Sequence, residues 1–425
     1  MILRELASNT ANESHRKRPD VALVFVGQIV PDCSEYHNAY FSKAGNMFQE
    51  NILIALKNAG MPALLAVSGP VFPSFSAVRV LARKRRIVTL AEGQSVVLLP
   101  FINFGVLKWL SLGISELFEI GRWAWHERRA SPKVILTHNL SLPSGAFTLL
   151  ASRLVRAKAV AFIADIYVPG QISAPTLLRR LDFWLHKKMI PKFDGLVVVN
   201  KRIIEDFAPD AGYLLIECGV REELLDRFPD PLEEPPQEKD TFTIAFAGTL
   251  SDMNGISILL EAFDRLKGSK YRLRLAGIGG LVEKVLRAAE RDPRIEYLGY
   301  VSPDEVYHLY ETADVLVNMR PTRSMRTVYG FPSKLMEYLI TGKPVITTCA
   351  GNVEEEFSDK VILLRDETVE GLATALEKVA TMSQVERARI GLEAREYIRA
   401  NKTWKVYGDQ MTTYIRREVL GLTPS

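Results

Sequence analysis

Short apolar, β-prone runs alternate with longer stretches of helical period along this chain, and the alternation runs twice, on either side of one Pro-rich acidic segment. In the first half, strand-sized runs fall at 21–26, 62–68, 95–99, 134–137, 160–163 and 195–199, with helical spacing clearest at 45–58, 177–190 and 201–207. Runs this short and this apolar suit strands covered on both faces, so a parallel, doubly wound sheet is expected. At 228–240 the sequence reads FPDPLEEPPQEKD, four prolines among acidic residues, which is a linker and not an element. The alternation then restarts, with strands at 243–246, 271–276, 295–298, 315–317, 344–348 and 361–364, and helices at 256–266, 282–291, 303–310 and 332–341. The last sixty or so residues are helical in period. The expected fold class is α/β, with two doubly wound, Rossmann-like parallel-sheet domains facing across a cleft. The expected boundaries are a first domain at 1–228, a linker at 229–240, a second domain at 241–400, and a C-terminal helix at 401–425 packing back on the first domain. Ligands of open α/β sheets bind beyond the carboxyl ends of the strands, which makes the cleft the expected site.

Composition narrows the function classes. With 425 residues, 47% hydrophobic, there is ample material for two or three cores. A net charge of +4 gives no support for nucleic-acid binding. Cys33, Cys218 and Cys349 form no CxxC pair, and the six histidines show no HxH or HExxH spacing. No metal site and no disulfide framework are expected, and a reducing, cytoplasmic compartment fits. The first twenty residues do not read as a signal peptide. The most apolar stretch, 96–107, is too short to span a bilayer and is broken by Pro100, Asn103 and Gly105.

Chemistry concentrates in YGFPSKLMEYLITGKPVIT at 329–347. Pro332 stands where a first helical position is expected, and Gly342 follows the last periodic residue. Leu335, Met336 and Leu339 form an apolar side; Ser333 and Glu337 share another face, with Lys334 beside them. Unpaired N–H groups, an ammonium and a carboxylate suit a phosphorylated ligand that also carries hydroxyls. Elsewhere FAGTL at 246–250 and LAGIGG at 275–280 place Gly248, Thr249 and Gly277 at strand ends, without the GxGxxG dinucleotide fingerprint. Tyr300 and Val301 after Gly299 offer an aromatic face and backbone groups to a flat ring. The loop MRPTRSMRTVYG brings Arg320, Arg323 and Arg326. In the first half, Gly27, His138 and Asp165 each close a strand. Taken singly, these features also fit tight turns, packing, solvated surface or, for His138, a core role.

In order, the GTL turn, the LAGIGG loop, IEYLGYVSPDEVYHLYETADVLV at 295–317 and the 329–347 stretch resemble the donor-binding half of a family 4 glycosyltransferase with the GT-B fold. The resemblance covers nearly all of 240–365 and is looser before it, where FDGLVVVNKRIIEDF and ECGV at 217–220 match the family's crossing into the second domain. It implies a retaining transferase that moves a sugar from a nucleoside diphosphate sugar to a glycan acceptor in polysaccharide or glycoconjugate assembly. The FPSK version of the motif resembles a branch met in polysaccharide assembly. By position, Glu337 would hold the nucleotide ribose, and Gly330, Phe331, Pro332, Ser333 and Lys334 would line the diphosphate and sugar. Tyr300 and Val301 would hold the base, Asp165 would lie near the sugar or acceptor hydroxyl with His138 close by, and Gly27 would face the diphosphate from the other side. No cofactor and no metal are implied.

The chain departs from the family where the first glutamate of E-x7-E is expected, since Tyr329 stands there, and where Thr249 and Asn254 replace basic residues. Lys334, aided by Arg320, Arg323 or Arg326, is expected to supply the missing phosphate charge. The 71–125 segment joins the run Arg83–Arg86 to apolar and Trp-containing sequence. That combination fits either a buried strand and helix with a solvated flank, or a surface seated on an anionic membrane inner face, which would point to a lipid-linked acceptor. A nucleotide-sugar epimerase of the same shape and a catalytically silent carbohydrate-binding protein remain open as alternatives.

Overall fold

The computed structural model describes residues 20–422 except 34, 37–41, 74, 76, 91–92, 130–131, 141, 167–176, 229–239 and 323–327. The expected linker, save Asp240, and both Arg323 and Arg326 lie outside the described residues. The chain divides into two compact units, Met1–Leu136 with Ala146–Ala159, and Thr137–Gly145 with Val160–Ser425.

In the first unit, strands β1 (Ala22–Gly27), β2 (Ala63–Ser68), β3 (Arg86–Thr89), β4 (Ser95–Leu98) and β5 (Lys133–His138) lie in the order β5-β1-β2-β4-β3. β1 and β4 pair parallel with β2, while β3 is an antiparallel edge strand. Every residue of β1 is buried, as its unbroken apolar run requires. Helix α1 (Lys43–Asn58) starts on Ser42, whose hydroxyl accepts from the Gly45 N–H at 3.0 Å. The apolar 96–107 stretch is not one element. β4 ends at Leu98, Phe101–Ile102 pairs antiparallel with Ala82–Arg83, and helix α2 (Gly105–His126) follows. Asn103 holds that turn, its amide donating to the carbonyls of Pro73 and Val80.

The buried side of α2 carries Gly113, Glu116, Ile120 and Trp123. A Cβ on Gly113 would lie 2.1 Å from the Phe147 ring of α3 (Leu142–Val155), so the two helices touch through the missing side chain. One turn on, the buried Glu116 accepts from the Thr148 hydroxyl at 2.7 Å. Burial pushes its carboxyl up to about 8.

In the second unit, β6 (Lys158–Ile163), β7 (Gly195–Val198) and β8 (Tyr213–Leu215) are parallel neighbours in the order β8-β7-β6. Six more strands form an all-parallel sheet: β9 (Phe242–Ala247), β10 (Tyr271–Ala276), β11 (Ile295–Tyr297), β12 (Val315–Asn318), β13 (Val345–Thr348) and β14 (Ile362–Leu364). Their order, β11-β10-β9-β12-β13-β14, reverses direction between β9 and β12. That reversal is a topological switch point, where neighbouring crossovers leave on opposite faces and open a crevice at the carboxyl ends. The expected helix over 332–341 is shorter, running only over Lys334–Leu339. Pro332 therefore precedes it, because the Leu335 and Met336 N–H groups reach back three residues, to Pro332 and Ser333, in a tightened first turn.

The C-terminal helices close this unit. Val220 donates to the Lys402 carbonyl and accepts from the Trp404 N–H, each at 2.9 Å, and Gly219 lies flat under the Trp404 indole. The Lys402 ammonium is buried between Glu217 at 3.1 Å and Glu356 at 2.9 Å, with the Tyr407 hydroxyl donating to Glu217 at 2.9 Å. The Tyr414 hydroxyl accepts from the Leu196 N–H of β7 and donates to the Gly212 carbonyl. Among the described residues, no helix is long and apolar enough to cross a membrane.

The Glu116 site makes a prediction about stability. Its folded-state value, about 8 against an ordinary 4.5, means that the folded protein holds a proton the unfolded chain has released. Its contribution to stability therefore falls as pH rises above the unfolded value and levels off above about 8. Glu116→Gln keeps the acceptor for Thr148 and removes the titration. Its melting temperature should match wild type near pH 4, exceed it increasingly up to about pH 8 and then by a steady margin, which thermal denaturation across pH checks.

Candidate functional site

The switch point is built from glycines. The Gly248 N–H donates to the Ala276 carbonyl at 2.8 Å, and the Gly277 N–H donates to the Gly299 carbonyl at 2.7 Å, so three strand ends are stitched side by side. Gly277 is at φ +126°, and a Cβ there would lie 1.9 Å from the Gly248 carbonyl oxygen. A Cβ on Gly248 would lie only 1.2 Å from the Lys334 Nζ. Into that gap Lys334 inserts its ammonium, which donates to the Ala247 carbonyl at 2.6 Å and sits 5.0 Å from the centre of the Phe246 ring. Burial pushes Lys334 down to about 8, with Glu337 acting against that fall and Arg320 adding to it.

Glu337 lies three residues along the same helix. As a residue it is exposed, yet its carboxyl is pushed up by burial and pulled back by Lys334. The shift is the better guide to its chemistry, because the carboxylate charge is also felt by Tyr307, Tyr310 and Cys218 around it. Across the switch point, Arg320 follows β12. Its N–H donates to the Thr348 hydroxyl at 3.0 Å, and that hydroxyl donates to the Arg320 carbonyl at 2.8 Å. Burial lowers the guanidinium and Asp165 raises it; burial raises Asp165 and Arg320 lowers it. Each is thus the other's opposing charge.

Asp165 is presented by a neighbour that sequence reasoning did not single out. Asn139, directly after β5, takes a left-handed conformation at φ +50° that few residues other than Asn, Asp and Gly adopt readily. From there its side-chain oxygen accepts from the N–H groups of Ala164 at 2.7 Å and Asp165 at 3.0 Å. Next to it, His138 is buried with its ring 5.8 Å from that of Phe162, and burial pushes the imidazole down to about 3. His138 is therefore neutral throughout the physiological range.

Tyr329, where the family pattern carries glutamate, is engaged elsewhere. Its hydroxyl donates to Asp206 at 2.8 Å, and its ring meets Phe207 edge-on at 5.4 Å. After helix α4 (Leu177–Met189) and strand β7, Asn200 caps the helix α5 (Lys201–Phe207) and donates to the carbonyls of Val328 at 3.0 Å and Gly330 at 3.1 Å. The 328–330 backbone is thereby fastened to α5. An Asn before a helical run is a recognisable cap signal, whereas its second set of partners, 128 and 130 residues away, is not visible in sequence.

The remaining expected site residues are more scattered. Phe331 is buried against Phe357, Pro332 is buried, and Ser333 is exposed without a capping bond from its side chain. Thr249 is exposed, its carbonyl accepting from the Asn254 amide at 2.7 Å. Tyr300 is 80% exposed and Val301 half-buried. In the first unit, the backbone after Gly27 is already bonded, the Gln28 and Val30 N–H groups donating to Gln49 and Asn46 of α1. The structure thus gathers Lys334, Gly248, Glu337, Arg320 and Asp165 into one electrostatic group of two cations and two carboxylates. Among the described residues, no three His, Cys, Asp or Glu side chains are grouped to hold a metal ion.

Such a group suits an anion bearing hydroxyls. Residues 241–382 match the family model for glycosyl transferases group 1. The chain is 22% identical over 306 residues to a putative colanic acid biosynthesis glycosyltransferase, WcaL, of Escherichia coli, covering 63% of this chain and 74% of that one. Among solved structures it resembles the sucrose-phosphate synthase of Thermosynechococcus elongatus, with a TM-score of 0.65 at 15% identity over 94% of this chain and all of that one. It also resembles HepE of Anabaena, crystallised with UDP, with a TM-score of 0.61 at 16% identity over 92% and 98% of the two chains. Residues 241–382 thus resemble a group 1 glycosyl transferase domain, and the chain has the GT-B fold.

Proposed function

We propose that this chain is a glycosyltransferase that moves a sugar from a nucleoside diphosphate sugar to a lipid-linked glycan, with retention of configuration, in the assembly of a polysaccharide or glycoconjugate on the cytoplasmic face of a membrane. The observation that carries the reading is the desolvated Lys334 ammonium beside Arg320 at the switch point. When the bond to the sugar breaks, negative charge grows on the departing diphosphate, and fixed cations in a poorly solvated site stabilise it most at that moment. Glu337, an acceptor when ionised, suits the ribose hydroxyls, and Tyr300 with Val301 the base. Asp165, held by Asn139, takes the sugar or acceptor hydroxyl side. The resemblance implies that the departing phosphate itself receives the acceptor proton, and His138, pushed down to about 3 by burial, is a weak base for that task. Retention follows the resemblance to family 4. The UDP in the HepE structure and the polysaccharide role in the printed name of the Escherichia coli relative support the substrate class.

Lys334→Ala should lower kcat/KM by about 10²–10³-fold, the usual effect of removing one charge-stabilising donor. Gly248→Ala should do the same without touching a charged group, since its Cβ would occupy the ammonium's place; steady-state kinetics with the preferred donor measure both. Near-normal turnover in Lys334→Ala rejects the assignment. Because free Lys334 loses its proton near 8, donor affinity should weaken as pH rises through that value, and Lys334→Ala should lack this dependence. With two protein cations to meet the diphosphate charge, turnover should be unchanged by EDTA. Thermal shift with UDP, GDP and their sugars identifies the base. Finally, Tyr329→Glu, which restores the family's motif, sets a carboxylate against Asp206 and should lower thermal stability and activity together.

A further inference from the structure

Helix α2 is apolar on two sides, its inward one packing Ile120 and Trp123 into the core of the first unit. Its inward side carries both Glu116 and Glu119, while Leu107, Leu110, Ile114, Phe118 and Trp125 stand exposed on the other. These five are spaced by three, four, four and seven residues, which puts them on one stripe of the helix. Phe118 and Trp125 are 70% and 69% exposed, too much for aromatic side chains of a face meant for water. Around Gly121 the stripe opens into a recess of about 470 Å³, lined by Ile114, Phe118 and Trp125, with Arg122 and His126 beside them. The Arg128 guanidinium lies 5.1 Å from the centre of the Trp125 ring, setting a cation at the end of the apolar stripe.

We infer that this face of α2 seats the protein on an anionic bilayer, its stripe in the acyl boundary and its arginines at the headgroup level. Charge selects this occupant over a second copy of the chain. Residues 71–129 hold nine Lys and Arg against four Glu. Glu35 pairs with Arg83 and Arg86, and Glu119 with Arg85 and Arg122, but Glu116 is buried and protonated at neutral pH, and the excess stays positive. Two copies meeting through α2 would oppose like charges, whereas anionic lipid neutralises them. An apolar floor beside a guanidinium also suits an acyl chain beneath its phosphate. The inference gives the proposed lipid-linked acceptor a surface on which to be met, but stands on α2 alone.

Flotation of the full-length protein with vesicles tests it. Wild type should rise with phosphatidylcholine–phosphatidylglycerol vesicles, less so at high salt, and only weakly with phosphatidylcholine alone. Leu110→Gln/Phe118→Gln, changed at exposed positions and expected to fold, should partition about tenfold less or worse, since two apolar side chains no longer leave water. Arg122→Gln/Arg128→Gln should lose the preference for anionic lipid. The inference is overturned if the apolar variant floats like wild type, or if wild type floats with neither vesicle. It is equally overturned if sedimentation velocity shows a dimer that the apolar variant abolishes. A thermal shift with UDP or GDP sugars should be the same in all three proteins. Its absence throughout, with flotation as expected, would remove the donor reading and leave the docking face standing.

Discussion

The candidate site depends on one close approach: an ammonium lodged on a backbone carbonyl at the end of β9, in space left by a glycine. Lys334 could not reach Ala247 past any side chain at 248, and without that carbonyl and the Phe246 ring a cation so far out of water would be costly. The same contact brings the short helix after Pro332 to the switch point, and with it Glu337. Arg320, pinned through Thr348, completes the positive side from the strand on the other flank. Two cations so near each other repel, which is one reason Lys334 gives up its proton more easily than a surface lysine. A polyanion there would relieve the repulsion and restore the proton, so on the proposed reading part of the donor's affinity is stored in that crowding of charge.

Much of this was legible in the sequence because the two periods of secondary structure are. The six strands of the second sheet match their apolar runs to within a residue or two, and the helix over 201–207 matches its spacing. The 332–341 helix came out shorter because Pro332 and Ser333 form a tightened turn, which hydrophobic spacing does not register. Lys334 and Glu337 were visible as a charged pair one turn apart. That Arg320 lies near them was not, since only the strand order sets it across from Lys334. Asn139 and Asn200 were hidden for a different reason: their side chains act on backbone that is remote in sequence. The α2 stretch shows the limit of composition, because apolar residues read alike whether they face a core or a membrane.

Tyr329 illustrates how a lost motif residue can be absorbed. A glutamate at 329 would face the Asp206 carboxylate; the tyrosine donates to it and lays its ring on Phe207. The loop that carries Gly330 and Phe331 is held from α5 instead. On the proposed reading, the donor's contacts then fall to Lys334 and Arg320.

The closing helices carry a consequence for biosynthesis. Strand β7 completes its hydrogen bonding through a hydroxyl 218 residues downstream, and Glu217 meets its cationic partner 185 residues downstream. Until Lys402, Tyr407 and Tyr414 have emerged from the ribosome, a nascent chain holds a carboxylate with no counter-charge and a strand with an open N–H. The middle of the polypeptide must wait for its end, so this enzyme should finish folding after translation, and chains cut short before the last helices should be handed to chaperones and proteases.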